Sequence, residues 1–389
     1  TIRFLSWYGE SPQGKPILDN LLKAVNETLP AIHVELIPTT FFSLKKDLIN
    51  LISSGSAPDV VQMTNVWTSY FSSIGALARL DELLPEEYIV NNVLLSKKEL
   101  SQGKPLYSVP IGLSPIVHIA NNEVLRKSGI SQLPEKMTLD AFSSICKKID
   151  AGLPGKGYYS YGLSWFSSDV DFLGINIFLA AFGGGFNIGK GKLINTPENV
   201  RAFEWLLEFI NTHRIIAADI FTIRKMFAHG KIGIISDGPW FKYLMREHVQ
   251  GDFDKWFTLM HNPAVPKKGY TWEYNHLLSI CSQSQQKQAA TKFIELVTGN
   301  NRISETFLNE TGMLPVSLIQ QETPVFQTKS YNHLKEHLTY SAAFSTQHPM
   351  FEKAMQFCKD AVQRILYEGA DINQELEEKE YYLKMLYFD

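Results

Sequence analysis

Cysteine is scarce in this sequence. The 389 residues contain three cysteines, Cys146, Cys281 and Cys358, which are far apart and odd in number. At most one disulfide can form among them, and no Cys-x-x-Cys pair is present to hold a metal ion. We therefore exclude a disulfide-rich scaffold and a zinc knuckle, and we expect the three thiols to be small buried hydrophobic groups.

Long apolar runs and an excess of positive charge are also missing. No apolar run approaches the roughly 18 residues that a membrane-spanning helix needs. The formal net charge is -3, whereas a surface that binds nucleic acid is basic because it contacts phosphates. We expect no membrane span and no nucleic-acid partner. The chain exceeds what one hydrophobic core usually organises, so two lobes are predicted.

Motifs for catalysis, metals and cofactors are lacking as well. Gly183-Gly184-Gly185 is not followed by the Gly-Lys-Ser/Thr that ends a phosphate-binding loop. Asp169 and Asp171 could form a carboxylate pair, but a solvated helix start explains them better than a glycosidase site. We interpret the histidines as scattered, with no pair at metal-ligand spacing. The sequence therefore predicts no catalytic residue, no metal and no cofactor.

The residues present near the N-terminus alternate between strand and helix patterns. Ile2 to Ser6, His33 to Pro38 and Val60 to Met63 have the composition of strands. The apolar residues from Ile17 to Val25 and from Leu44 to Ile52 recur at helical spacing. This order predicts a mainly parallel sheet with right-handed crossovers. Similar alternation continues from Asn121 onward, so the fold class is α/β.

The stretch from Met226 to Trp240 has the clearest organisation in the chain. It predicts a helix end with Gly230 as C-cap, a buried strand from Ile232 to Ile235, and a turn from Ser236 to Pro239. Ligands of open α/β sheets gather outside the carboxyl ends of the strands. We therefore predict that Trp240 is a stacking platform in a cleft. The alternative is that Trp240 begins the next helix and packs inward.

Aromatic and polar side chains stand together at several predicted strand ends and loops. Sugars offer hydroxyl groups that need hydrogen-bond partners and a C–H face that stacks on flat rings. This mixture gives the candidate ligand-binding residues Trp7, Tyr8, Glu10, Thr40, Asn65, Trp67, Ser114, Trp165, Asp237, Gly238, Trp240, Trp272 and Tyr274. Trp205 and Trp256 lie within apolar patterns, and we expect them in the core.

A series of short motifs follows the chain in a characteristic order. They are Ser54-Gly55-Ser56-Ala57-Pro58-Asp59-Val60-Val61, Ile74-Gly75-Ala76-Leu77-Ala78-Arg79-Leu80, Asn121-Asn122-Glu123-Val124-Leu125, Asn195-Thr196-Pro197-Glu198, Phe227 to Trp240, Ala289-Ala290-Thr291-Lys292-Phe293-Ile294 and Gly312-Met313-Leu314-Pro315-Val316. Taken together, they make the chain resemble the extracellular solute-binding proteins of bacterial ABC importers, in the group of the maltose-binding and other sugar-binding members. One departure is Ile232-Gly233-Ile234-Ile235, where many members have Ala-Met.

The resemblance implies a two-lobed clamp, of the periplasmic-binding-protein type, with its ligand in the cleft at the hinge. Residues 1–112 and 276–315 would form the N-terminal lobe, and residues 113–275 and 316–389 the C-terminal lobe. The resemblance also implies a monomer in the periplasm, or otherwise outside the cytoplasm, that delivers its cargo to permease subunits in the inner membrane. The chain opens on a strand without a Met, so we expect that a signal peptide has been removed. The family's lipid-bearing N-terminal cysteine is not in this sequence.

Three hypotheses for function stay open at this point. The first is a non-enzymatic carrier of a carbohydrate, a disaccharide or an oligosaccharide. The second keeps the carrier role but changes the cargo to glycerol phosphate or a glycerophosphodiester, which would need Arg, Lys or a helix N-terminus in the cleft. The third is a glycoside-processing enzyme. The candidate loops are poor in Arg, which favours a neutral sugar.

Overall fold

Two five-stranded sheets form the centres of two lobes. The computed structural model describes residues 1–92, 105–164, 169–186, 194–249, 251–264, 271–299, 301–343 and 350–388. Its strands are β1 (Ile2–Ser6), β2 (Val34–Pro38), β3 (Val60–Thr64), β4 (Val109–Gly112), β5 (Val117–Asn121), β6 (Tyr159–Ser164), β7 (Ile215–Ala218), β8 (Ile232–Asp237), β9 (Phe257–Met260), β10 (Thr271–Glu273), β11 (His276–Ile280) and β12 (Ser341–Ala343). The first sheet has the order β2-β1-β3-β11-β4, the second β7-β6-β8-β5-β9, and β10 pairs with β12.

The two large sheets share one plan of strand directions. In the first lobe, β1 is parallel to β2 and β3, whereas β11 is antiparallel to β3 and β4. In the second lobe, β6 is parallel to β7 and β8, whereas β5 is antiparallel to β8 and β9. The parallel part of each sheet arises from strand-helix-strand units, as the sequence predicts. The α/β fold with two lobes is confirmed.

Helices cover the faces of these sheets. They are α1 (Lys15–Thr28), α2 (Leu44–Ser53), α3 (Asn65–Ser73), α4 (Glu86–Asn92), α5 (Asn122–Lys127), α6 (Leu139–Gly152), α7 (Asp169–Ala181), α8 (Pro197–Thr212), α9 (Ile220–Ala228), α10 (Phe241–Leu244), α11 (Phe253–Trp256), α12 (Lys287–Gly299), α13 (Asn301–Thr311), α14 (Leu318–Gln321), α15 (Lys329–Leu338), α16 (Phe351–Tyr367) and α17 (Ile372–Phe388). Short 3₁₀ helices span Trp7–Gly9, Leu80–Glu82 and Pro324–Phe326.

Local sequence explains where several helices begin. In α1, Pro16 occupies the first turn, and the buried residues Ile17, Leu21 and Val25 recur at helical spacing. Thr196 caps α8, because its side chain accepts a hydrogen bond from the Asn199 N–H at 3.3 Å. These helices bury one apolar face against their sheet, so packing and local preference agree.

Connecting segments between the lobes lie side by side. The chain leaves the first sheet after β4, and there Leu113 and Leu314 exchange two backbone hydrogen bonds of 2.9 and 3.0 Å. The Tyr274 N–H donates to the Ser114 carbonyl at 2.9 Å, on the path back into β11. The lobes are thus joined by segments that cross more than once, as the resemblance implies.

Two predictions about buried side chains have different outcomes. Cys146, Cys281 and Cys358 are unpaired and buried, as expected, and burial raises the pKa of the Cys281 thiol to about 12. Trp205 packs partly buried against the core, whereas the core position of Trp256 is wrong because its side chain is 37% exposed. None of the helices in the described ranges has the length and apolar character that crossing a membrane requires.

Candidate functional site

A cavity lies between the two lobes, where the carboxyl ends of β1, β2 and β8 meet. Its volume is about 350 Å³, within the range of roughly 300 to 1,000 Å³ for small-molecule sites. We call it the cleft. It is lined by Trp7, Glu10, Ser11, Pro12, Gln13, Thr40, Phe41, Phe42, Ile220, Phe221, Arg224, Trp240, Tyr243, Leu244, Tyr274 and His276.

Flat rings form much of the cleft wall. Trp240 stacks on His276, with ring centroids 5.5 Å apart and an interplanar angle of 15°. Tyr274 meets Trp240 edge-on at 5.9 Å, and Trp7 meets His276 edge-on at 5.0 Å. Such packing fixes the ring orientations before a ligand arrives. The cleft can therefore offer aromatic faces to the C–H surface of a sugar ring.

The charged groups that line the cleft are Glu10 and Arg224. The Arg224 Nε and Nη2 donate to the two carboxylate oxygens of Asp237, at 2.6 and 2.8 Å. The Gly238 N–H donates to the same carboxylate at 2.8 Å, and Asp237 is fully buried. A bidentate pair of this kind holds the guanidinium plane in place. Arg224 is thus a positioned donor whose charge is balanced by Asp237.

Two further titratable groups of the wall, His276 and Tyr243, are neutral near pH 7. Burial lowers the pKa of His276 to about 3, which leaves its ring uncharged. Burial is also the largest cause that raises the pKa of Tyr243 to about 12. Both groups can therefore offer hydrogen bonds without adding a charge to the cleft.

Side chains from the two lobes touch each other around the cleft. Tyr8 of the first lobe and Tyr243 of the second lie with ring centroids 5.5 Å apart. At the mouth, Phe42 and Phe221 meet at 5.3 Å although their side chains are 49% and 59% exposed. These contacts join opposite walls, so they depend on how far the lobes are closed.

Five of the residues predicted from sequence are brought together in this wall. They are Trp7, Glu10, Thr40, Trp240 and Tyr274. The two interpretations of Trp240 turn out to overlap, because it directly precedes α10 and is 5% exposed, yet it also lines the cleft.

Three further candidates lie behind the wall and support it. Tyr8 is buried, and its hydroxyl lies 3.5 Å from His276 Nδ1. Trp67 packs edge-on against Trp7 with ring centroids 6.2 Å apart. Asp237 holds Arg224, as described above. The predicted strand ending at Ile235 in fact continues to Asp237, because residues 236 and 237 pair with β5.

The remaining candidates lie elsewhere. Gly238 lines a second cavity of about 240 Å³, together with Pro239 and Phe241. Asn65, Ser114 and Trp272 are buried or half-buried near the crossing segments, where Asn65 Nδ2 donates to the Glu273 carbonyl at 3.1 Å. These three do not line the cleft in the part of the chain that the structure describes. Trp165 lies outside the described residues.

Several cleft residues were missed from the sequence. Phe41 and Phe42 directly follow Thr40, and an aromatic pair after the predicted strand His33–Pro38 was a signal that could have found them. Phe221 and Arg224 lie on α9, and His276 begins β11. These three residues had no local signal in the sequence, because only the packing of the two lobes shows which side of a helix or which end of a strand faces the cleft.

The interpretation of the histidines as scattered is wrong. His333 and His337 are four residues apart on α15, which is a ligand spacing on one helix face. The structure brings His261 next to them, and one nitrogen from each of the three rings lies within 4.8 Å of the others.

Comparison with known proteins gives consistent similarities. A family model of bacterial extracellular solute-binding proteins matches residues 9–301. The maltotriose-binding protein of Pyrococcus abyssi is 22% identical over 326 residues, which cover 80% of this chain and 65% of that protein. This chain therefore spans slightly less than two thirds of that relative's length.

Solved structures share the fold over nearly the whole chain. One is an ABC transporter solute-binding protein from Thermotoga lettingae, bound with α-D-tagatose, with a TM-score of 0.85 and 18% sequence identity. The superposition covers 99% of this chain and 98% of that protein. UgpB from Mycobacterium tuberculosis, in complex with glycerophosphocholine, has a TM-score of 0.81 at 18% identity with the same coverages, 99% and 98%.

Two α/β lobes that enclose an aromatic cavity between them define a clamp-type ligand-binding protein. The family match covers most of the chain, including most of the residues that line the cleft. The chain belongs to the bacterial extracellular solute-binding proteins. Members of this family are substrate-binding proteins and not enzymes.

Proposed function

We propose that this protein is the substrate-binding component of an ABC importer and that it captures a neutral disaccharide or oligosaccharide in the cleft. The observation that supports this most strongly is the cleft wall itself, in which Trp7, Trp240 and Tyr274 present rings beside Glu10 and Arg224. Stacking faces next to a few oriented polar groups suit a sugar ring. The similarity to a maltotriose-binding protein supports an oligosaccharide.

The charge of the cleft favours a neutral cargo over a phosphorylated one. UgpB, which shares the fold, is described in complex with glycerophosphocholine, so a glycerophosphodiester is the second candidate. A phosphate needs cationic partners, but the charge of Arg224 is already balanced by Asp237, to which its Nε and Nη2 donate. Glu10 adds a negative charge to the wall. A neutral sugar therefore fits this charge balance better than a phosphodiester.

A carrier role also fits the carboxylates of the cleft better than glycoside hydrolysis. A glycosidase needs two carboxyl groups placed across the scissile bond. Glu10 lines the cleft, whereas Asp237 is ion-paired with Arg224 and fully buried. Incubation with oligosaccharides should give no turnover, and release of reducing ends by the protein would overturn the carrier role.

The lobe boundaries, location and partners belong to the same proposal. Residues 1–112 and 276–315 form the N-terminal lobe, and residues 113–275 and 316–389 the C-terminal lobe. The membership of β11 in the first sheet and of β5 to β9 in the second supports this division. The protein acts as a monomer outside the cytoplasm, in the periplasm, and delivers its cargo to the permease subunits of the inner membrane.

A thermal-shift screen tests the cargo directly. A ligand that binds only the folded state raises the melting temperature, by an amount that grows with concentration over Kd. The panel contains monosaccharides, maltose, maltotriose, longer oligosaccharides, glycerol 3-phosphate and glycerophosphocholine. Stabilisation by a neutral saccharide, followed by calorimetric titration to a single site, is the expected result. Stabilisation by the glycerophosphates alone would transfer the proposal to the second candidate.

A further inference from the structure

Three histidines meet on the second lobe, away from the residues that line the cleft. His261 directly follows β9, whereas His333 and His337 lie on one face of α15, four residues apart. The ring centroids of His261 and His333 are 4.2 Å apart, and those of His333 and His337 are 4.5 Å apart. One nitrogen from each ring lies within 4.8 Å of the other two. Three imidazoles therefore converge on one point.

The hydrogen bonds around this cluster leave one unprotonated nitrogen on His333 and one on His337. His333 Nε2 is buried and has no hydrogen-bond partner, while the same ring hydrogen-bonds the backbone of Met260. His337 Nδ1 lies 2.9 Å from the His333 carbonyl, so it donates there and its Nε2 is the lone-pair nitrogen. That Nε2 receives one long contact, 3.4 Å from the Asn262 N–H. Backbone carbonyls holding the second nitrogen are typical of metal-binding histidines.

An open depression reaches two of the three rings. Glu336 lies 3.9 Å from His261 Nε2, at the solvent side. His261 and His333 also line an open depression beside Met260 and Lys329, which gives a path from solvent. A metal ion can therefore approach the cluster at His261 and His333, whereas His337 is fully buried.

We propose that His261, His333 and His337 form a binding site for one divalent transition-metal ion of the zinc type. Imidazole nitrogens suit zinc, copper and nickel, and zinc accepts three histidines with an open fourth position. Zn–N bonds of about 2.0 to 2.1 Å require the ring nitrogens to approach one another by up to roughly 1.5 Å when the ion binds. Water or the Glu336 carboxylate completes the coordination. The ion joins the end of β9 to α15 within the second lobe.

The test uses full-length protein without a histidine tag, stripped with a chelator and titrated with Co²⁺ and Zn²⁺. Four-coordinate cobalt gives intense visible absorption, which six-coordinate cobalt on a protein surface does not. We expect one equivalent of Co²⁺ to develop this spectrum, Zn²⁺ to displace it, and the melting temperature to rise with metal. The substitutions H333Q and H261Q should each weaken binding by at least about tenfold. His337 is left intact because it is buried.

His229 and His248 provide the matched control. They are exposed, and their rings lie 5.3 Å apart on the same lobe. H248Q should titrate like the wild type. If H333Q binds metal as well as the wild type does, or if H248Q alone loses binding, the three-histidine site is overturned. Because no sugar enters this experiment, its outcome is independent of the proposed cargo.

Discussion

Trp240 lines the cleft from the second lobe, in the short connection between β8 and α10. Its ring stacks on His276 and meets Tyr274 edge-on, so its orientation is fixed by neighbours that also line the cleft. Its position at the carboxyl end of a buried strand made it predictable from sequence. The sequence could not predict that His276 would lie under it, because β11 comes from a distant part of the chain.

We predict that Trp240→Ala weakens saccharide binding by about 5- to 150-fold, equivalent to roughly 1 to 3 kcal/mol for the lost stacking contact together with the apolar area that it buries. Calorimetric titration measures the affinity, and urea denaturation measures the stability of the same sample. Trp205→Ala is the control, since Trp205 stacks on Phe209 at 4.8 Å in the second lobe and does not line the cleft. It should lose stability and keep affinity. A Trp240→Ala variant that loses stability but keeps its affinity would show that Trp240 does not contact the saccharide.

Acid should destabilise the protein through His118 of β5. Burial lowers the pKa of this residue to about 4, although a hydrogen bond with Asn262 partly offsets the effect. Below pH 6.5 this histidine binds a proton in the unfolded chain, whereas in the folded protein it stays neutral down to about pH 4. The free energy of unfolding therefore falls as the pH drops from about 6.5 to 4. The penalty at pH 5 is about 2 kcal/mol. His118→Asn should remove this part of the loss between pH 7 and pH 5, as measured by urea denaturation. An unchanged pH dependence would contradict it.

At the scale of the element, α5 and α9 are joined by one side chain. Asn121 accepts hydrogen bonds from the N–H groups of Glu123 and Val124, which caps α5. Its Nδ2 also donates to the Phe227 carbonyl near the end of α9, at 2.8 Å. Because α9 supplies Phe221 and Arg224 to the cleft wall, the hydrogen bond from Asn121 helps to hold that part of the wall in place.

We predict that Asn121→Ala destabilises the protein by about 1.5 to 2.5 kcal/mol, because a helix cap and a second side-chain hydrogen bond are lost together, while the Phe227 carbonyl keeps the Gly230 N–H as a donor at 3.0 Å. Thr138→Ala is the control, since Thr138 only caps α6, through a 3.1 Å hydrogen bond from the Ala141 N–H. That variant should lose about 1 kcal/mol. Equal midpoints of urea unfolding for the two variants would show that the Phe227 link contributes nothing.

The elements themselves were largely predictable, and the exceptions have physical causes. Ser236 and Asp237 have turn-forming side chains, yet they extend β8 because their backbones pair with β5. Trp256 lies in an apolar run, but the turn of α11 places Phe253 and Phe257 inward, 5.2 Å apart, and leaves Trp256 outward. Both errors come from tertiary contacts that override local preference. The proximity of His261 to α15 also arises from tertiary contacts, so the sequence did not show it. The four-residue spacing of His333 and His337, in contrast, is visible in the sequence.

On the scale of the whole molecule, the contact between Phe42 and Phe221 closes the mouth of the cleft. Both side chains are largely exposed, so replacing either one leaves the cores of the lobes intact. An aromatic pair contributes about 0.5 to 1.5 kcal/mol. Because the two rings belong to opposite lobes, their contact stabilises the closed state. It therefore adds to the affinity for a ligand that binds the closed state better.

We therefore predict that Phe221→Ser weakens saccharide affinity by about 2- to 12-fold with little change in stability. Phe42→Ser should have the same effect, and the double variant should be no weaker than either single one, because the pair acts as a unit. Calorimetric titration of the four proteins gives the double-mutant cycle. Additive losses would mean that each ring acts separately on the ligand.

We propose that a saccharide holds the two lobes together by contacting both. Small-angle X-ray scattering of the protein tests this, with and without a saturating concentration of the saccharide that the thermal-shift screen identifies. A ligand that binds the closed state better shifts the population toward it, so the radius of gyration should decrease on binding. An unchanged radius of gyration, in a sample whose saturation is shown by calorimetry, would contradict the clamp.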